Sequence, residues 1–98
     1  MNRQEILDAA AKCVNGGRDE QYGEPENNFL RIARLWEAYL QHPVGAVDVA
    51  NMMILFKVAR VKGGNLIGSY TCDSWVDIAG YAACGGEIEC GCMGKNNG

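Results

Sequence analysis

The sequence predicts an all-α protein arranged as a four-helix bundle. Three observations carry this reading: apolar residues recur at helical spacing in four segments, short runs of turn-forming residues separate them, and no strand alternation lasts more than a few residues. The first helix is expected over residues 5–14, where Ile6, Ala10 and Cys13 share a spacing with Leu7 and Val14 beside them. Asn15-Gly16-Gly17 stops it with residues that accept a left-handed backbone, and a polar loop follows to Glu26. The second helix starts at Pro25 or Glu26 and runs to about Leu40. Its stripe is Phe29, Ile32, Ala33, Trp36 and Leu40, with Arg31, Arg34 and Glu37 facing away. After His42-Pro43-Val44-Gly45, the third helix runs from Val47 to about Val61. It is apolar on most of its surface, which suits a bundle centre or a subunit interface. Gly63-Gly64-Asn65 ends it, and residues 66–72 form a connector able to hold a short extended piece. The fourth helix starts at Asp73 or Ser74, either of which can cap it, and continues to about Cys84 or Ile88. Residues 1–89 therefore read as one helical domain and residues 90–98, rich in Gly and Asn, as a flexible tail.

Composition narrows the class of function. Of 98 residues, 48% are hydrophobic and 21% charged, a globular balance on a chain short enough for its core to be thin. A net charge of −3 argues against coating nucleic-acid polymers or anionic membranes, both of which reward clustered Lys and Arg. No apolar run approaches the ~20 residues of a membrane span, and the charged N-terminal residues lack a secretory h-region. A cytoplasmic protein is expected. The five cysteines are an odd number without a zinc-type spacing, so free thiols are expected.

Chemistry is suggested by carboxylates on apolar helix faces. Asp48 shares a stripe with Asn51, Met52, Leu55 and Ala59, while Asp73 and Asp77 share one with Tyr81, Cys84 and Ile88. Lys57 and Arg60 are poor partners for Asp48, at about 180° and 120° around the same helix. Two readings stay open. Asp48 and Asp73 are helix caps, with Asp77 in a first turn favoured by the macrodipole. Alternatively, Asp48, Asn51, Asp73 and Asp77 converge as oxygen ligands for Mg²⁺ or Mn²⁺, which would hold phosphates. A second constellation is Arg18, Asp19, Tyr22, Asn28 and Phe29. A guanidinium, amides and rings there could hold a nucleotide, or the same residues could be an ordinary surface pair and core aromatics. Trp36 and Trp75 are expected in the core, and His42 is assigned no role.

Runs such as Arg18-Asp-Glu-Gln-Tyr-Gly-Glu-Pro-Glu-Asn-Asn-Phe29, Arg31-Ile-Ala-Arg-Leu-Trp36, Asp48-Val-Ala-Asn-Met-Met53, Lys57-Val-Ala-Arg60 and Asp73-Ser-Trp-Val-Asp-Ile-Ala-Gly-Tyr81 resemble a family of short phage and prophage proteins of unassigned function. The resemblance covers roughly residues 5 to 89. The last two helices are also similar to those of MazG-like all-α nucleoside triphosphate pyrophosphohydrolases. That superfamily sets an E-x-x-E pair and an E-x-x-D pair around Mg²⁺ and works as dimers or tetramers. The resemblance places Asp48 and Asn51 at the first pair and Asp77 at the last Asp. It departs at Asn51, which is neutral, and at Ser74, with Asp73 one position further back.

The resemblance implies a phage nucleotide-handling protein, an Mg²⁺-dependent (d)NTP pyrophosphohydrolase. Asp48 and Asp77 would be catalytic, Asp48, Asn51, Asp73 and Asp77 metal ligands, and Arg18, Asp19, Tyr22, Asn28, Phe29, Lys57 and Arg60 nucleotide-binding. The thinned acidic set motivates an alternative, a non-catalytic nucleotide binder that sequesters a signal in anti-defence. A helical interaction module is the third reading. A homodimer or homotetramer is expected, because the core is thin and the third helix carries more apolar surface than one neighbour covers.

Overall fold

The computed structural model describes residues 1–15, 24–63 and 69–97, with side chains over 1–15, 24–63 and 71–91. It contains four helices: α1 (Arg3–Asn15), α2 (Pro25–Leu40), α3 (Ala46–Gly63) and α4 (Ser69–Asn97). No strand occurs among the described residues.

Each start has a local cause. At α1 the Asn2 Oδ1 accepts the Glu5 N–H at 2.8 Å, and Glu5 Oε1 accepts the Asn2 N–H at 3.1 Å. This reciprocal capping box satisfies two orphan donors of the first turn. Helix α2 opens with Pro25, whose fixed φ suits the first helical position and whose missing N–H has no partner to lose there. It closes on Gln41, in the left-handed region at φ 56° and ψ 43°, whose N–H donates to Glu37 O at 2.7 Å. A non-glycine residue held there costs about 1 kcal/mol. The Glu37 carboxylate reaches forward and accepts the Val44 N–H at 2.9 Å, with Arg34 at 3.3 Å on its other side. The α2–α3 connector is therefore tied down by a side chain that the helical stripe had turned outward.

Helix α4 is the shared spine. It packs most extensively on α3 and also on α1, while α2 lies mainly against α3. The core joins Phe29 and Ala33 of α2, Val44, Val49 and Ala50 around α3, and Cys84 and Ile88 of α4. Val49 and Ala33 are fully buried. The α3–α4 approach is very close: a Cβ built on Gly85 would lie 2.8 Å from Ala50 Cβ. Two helices can draw that near only where one side chain is a single hydrogen.

The structure corrects several expectations. Helix α4 starts at Ser69 instead of Asp73 or Ser74, because the residues just before Asp73 carry no Gly or Pro to break it. Residues 69–72 are therefore helical, and Asp73 sits inside the helix and caps nothing. The helix also passes Ile88 and reaches Asn97. Gly85 lies inside the helix, and its missing side chain admits Ala50. Trp75 is half-exposed, since it lies about 180° around α4 from the arc holding Cys84. Leu40, expected in the core stripe, is also half-exposed at the end of α2. Trp36 packs against the core as expected. Cys13, Cys72 and Cys90 are free thiols.

Adjacent glycines should respond to alanine with opposite signs. Gly86→Ala meets nothing within 4 Å and should raise stability by up to about 1 kcal/mol through helix propensity. Gly85→Ala should lower stability by about 1–3 kcal/mol, because the helices must separate to admit the methyl; thermal melts of the two variants compare them directly. The bond from the Val44 N–H, followed by the Arg34 charge, outweighs partial desolvation and holds the Glu37 carboxyl below the ordinary glutamate value. A lowered folded pKa gives stability that is present above about pH 4.3 and is lost as the pH falls through the folded value. Glu37→Gln should melt below the native protein at pH 7, and the gap should narrow as the pH falls below the ordinary glutamate value.

Candidate functional site

A half-open cleft runs between the end of α1, the start of α2 and one face of α4. Cys13, Val14, Phe29, Val76, Asp77, Gly80, Tyr81 and Cys84 line it, and its empty space is about 380 Å³ counting the part open to solvent. Helical spacing explains the α4 wall: Asp77, Gly80, Tyr81 and Cys84 fall on one face at steps of three and four. Gly80 keeps that wall low, since a Cβ there would meet Val14 Cγ1 at 3.5 Å, an ordinary contact. The floor is aromatic. Phe29, 4% exposed, and Tyr81 stand with ring centroids 6.1 Å apart and planes tilted by 36°, a geometry within the favourable range for ring pairs.

The cleft's only described carboxylate, Asp77, is already engaged. Its Oδ2 lies 3.0 Å from Lys57 Nζ, which reaches across from α3. The Lys57 side chain keeps only 17% of its exposure and Asp77 keeps 39%, so the bridge sits at the edge of the α3–α4 seam. Lys57 thus stands beside Asp77, a carboxylate on a different helix of its own chain.

Asp48 does a different job. Its Oδ2 accepts the Gly45 N–H at 2.8 Å in the first turn of α3, the returning half of a capping box. Lys57 follows Asp48 by nine positions on α3, which is about 13 Å along the axis and on the opposite side. The carboxylates of Asp48 and Asp77 are therefore held in separate places. Asn51 and Asp73 are exposed. Among the described residues, no three of His, Cys, Asp and Glu gather closely enough to hold a metal ion. A divalent cation needs oxygens at about 2.0–2.6 Å; here Asp48 is bonded to the Gly45 N–H and Asp77 to Lys57.

The remaining expected site residues divide three ways. Phe29 lines the cleft, and Asn28 is half-buried beside it in the chain. Arg60 lies away from the cleft lining, with its guanidinium carbon 5.9 Å from the Phe56 ring centroid. Arg18, Asp19 and Tyr22 fall outside the described residues. The sequence reading did not single out Cys13, Val14, Val76 or Gly80. The available signal was the face shared by Asp77, Tyr81 and Cys84, which is the α4 wall.

The Lys57–Asp77 bridge should show an asymmetric mutational response. Asp77→Asn strands the less exposed ammonium and should cost about 1–2 kcal/mol, whereas Lys57→Met leaves a carboxylate that can still reach water and should cost less. A double-mutant cycle by denaturant unfolding should return a coupling of about 1 kcal/mol that shrinks in high salt.

No described helix is long and apolar enough to cross a membrane. No solved structure matches the chain. It is 46% identical over 81 residues to the Gene 55 protein of Mycobacterium phage D29, covering 83% of this chain and 51% of that protein. It is 45% identical over 78 residues to the Gene 55 protein of Mycobacterium phage L5, covering 79% of this chain and 47% of the relative. The chain thus spans about half the length of the curated relatives it matches. A family described as a domain of unknown function, DUF6378, matches residues 5–89, and the chain belongs to that family.

Proposed function

We propose that this phage-family protein binds a nucleobase-bearing small molecule in the α1–α2–α4 cleft without hydrolysing it. The observation that carries the reading is the cleft itself: an aromatic floor of Phe29 and Tyr81, a low wall at Gly80, and the charged pair Asp77–Lys57 at one edge. A flat ring can lie against apolar and aromatic walls, and its polar edge needs a neighbouring donor and acceptor. Lys57 and Asp77 offer such a pair side by side. Arg18, Asp19 and Tyr22 lie outside the described residues and stay in the proposal as nucleotide-binding candidates on their residue chemistry alone.

Binding is favoured over the MazG-like pyrophosphohydrolase reading by how the carboxylates are used. Asp48 is committed to the Gly45 N–H and Asp77 to Lys57. Metal-assisted attack on a phosphate needs several carboxylates free and close together. The third reading, an interaction module, draws support from the apolar surface that α3 turns to solvent.

Calorimetric titration of the chain with nucleosides and nucleotides, with Mg²⁺ and then with EDTA, tests the proposal. The expected result is micromolar binding of a base-bearing ligand, unchanged by EDTA and without release of pyrophosphate. Gly80→Val, which fills the low wall, should weaken that binding at least about tenfold while leaving the fold intact. Silence across all ligands, or pyrophosphate release, overturns it.

A further inference from the structure

Helix α3 carries a second, unpartnered seam on the side away from α4. Asp48, Met52, Leu55, Ala59 and Lys62 follow one another at steps of four, three, four and three, the repeat that keeps one line of side chains along a helix facing a partner helix. All of these residues are exposed, Leu55 at 66% and Met52 at 40%. Phe56 and Val58 flank the line at 52% and 46% exposure and widen its apolar part. The stripe is apolar in the middle and oppositely charged at its ends: Asp48 lies in the first turn and Lys62 in the last.

We infer that α3 pairs with α3 of a second copy of this chain, antiparallel and centred on Leu55. Two features select this occupant. The first is charge. An antiparallel twofold sets Asp48 opposite Lys62 of the partner subunit at both ends, with Met52 facing the partner's Ala59. A parallel pairing would put like charges together at each end. The stripe is therefore complementary to itself. The second is the exposed apolar run itself: Met52, Leu55, Phe56 and Val58 keep 40%, 66%, 52% and 46% exposure on and beside the stripe, which a second copy of the same stripe would cover.

The inference can be tested separately from the cleft proposal, because Lys57, the α3 residue that proposal uses, faces α4, about 160° around the helix from Leu55. Asp48 keeps its bond to the Gly45 N–H through Oδ2, leaving Oδ1 for the partner's lysine.

Sedimentation velocity of the full chain, from about 1 to 200 µM, provides the test. The expected result is a dimer at tens of micromolar. Leu55→Glu should raise the dissociation constant at least about 100-fold with unchanged helical circular dichroism, since the side chain is exposed within the protomer. Lys62→Glu sets acid against acid at both ends and should weaken the dimer at least about tenfold, giving a second variant at a surface position that leaves the core alone. Orientation is read by cross-linking. A mixture of Met52→Cys and Ala59→Cys chains should give a 52–59 disulfide-linked peptide by mass spectrometry, whereas a parallel pairing gives 52–52 and 59–59. A wild-type monomer at 200 µM, a dimer indifferent to Leu55→Glu, or the parallel cross-links would each overturn the inference. The first of these would assign the seam to a different chain.

Discussion

The approach of α3 to α4 at Ala50 and Gly85 is the constraint on which the rest of this small fold depends. With 2.8 Å separating Ala50 Cβ from the position of a Gly85 Cβ, the two helices lie too close for any side chain at Gly85. That proximity has two effects. It brings Val49, Ala50, Cys84 and Ile88 into one core with Phe29 and Ala33, so a thin core becomes continuous instead of splitting into patches. It also brings Lys57 within reach of Asp77 across the seam. Farther apart, the helices would lose dispersion contacts along the whole line at once, since attraction between apolar atoms fades within an ångström of the optimum.

The cleft follows from the same spine. Helix α4 is long enough to meet α3 along one arc and α1 along another, and the cleft opens where α1 and the start of α2 cross its Asp77–Cys84 face. Small side chains serve both edges of α4, but with different results. At Gly85 the missing side chain is filled by a neighbouring helix, whereas at Gly80 it leaves a hollow bordered by aromatic rings. The relatives in Mycobacterium phages D29 and L5 carry roughly as much additional chain again.

Helical periodicity made the element order legible, and for α1, α2 and α3 the boundaries within two residues, because apolar spacing and Gly or Pro punctuation agree there. The ends of α4 were harder to read. Asp73 and Ser74 look like a cap in isolation, and the Gly and Asn residues from position 90 onward look like a flexible tail. Only the position of Ala50 explains why Gly85 belongs inside a helix. The site was legible in part. The shared face of Asp77, Tyr81 and Cys84 is visible from spacing alone. The partner of Asp77 is not, because pairing across two helices depends on how each is rotated and on their separation, and neither quantity is local. Glu37 makes the same point: it reads as an outward-facing charge, yet it ties down the next connector through Val44.

Helix α3 has little amphipathic preference, so burial of oily surface alone would leave it almost free to spin about its own axis. The bridge from Lys57 to Asp77 removes that freedom. Turning α3 by one residue, about 100°, would swing the ammonium off its carboxylate and press a different side chain into the space that only Ala50 fits. One charge and one methyl thus act as a key and keyway that fix which side of an otherwise ambiguous rod looks inward. The outward side, with its sequence of acid, apolar centre and base, is thereby presented at a single, reproducible angle.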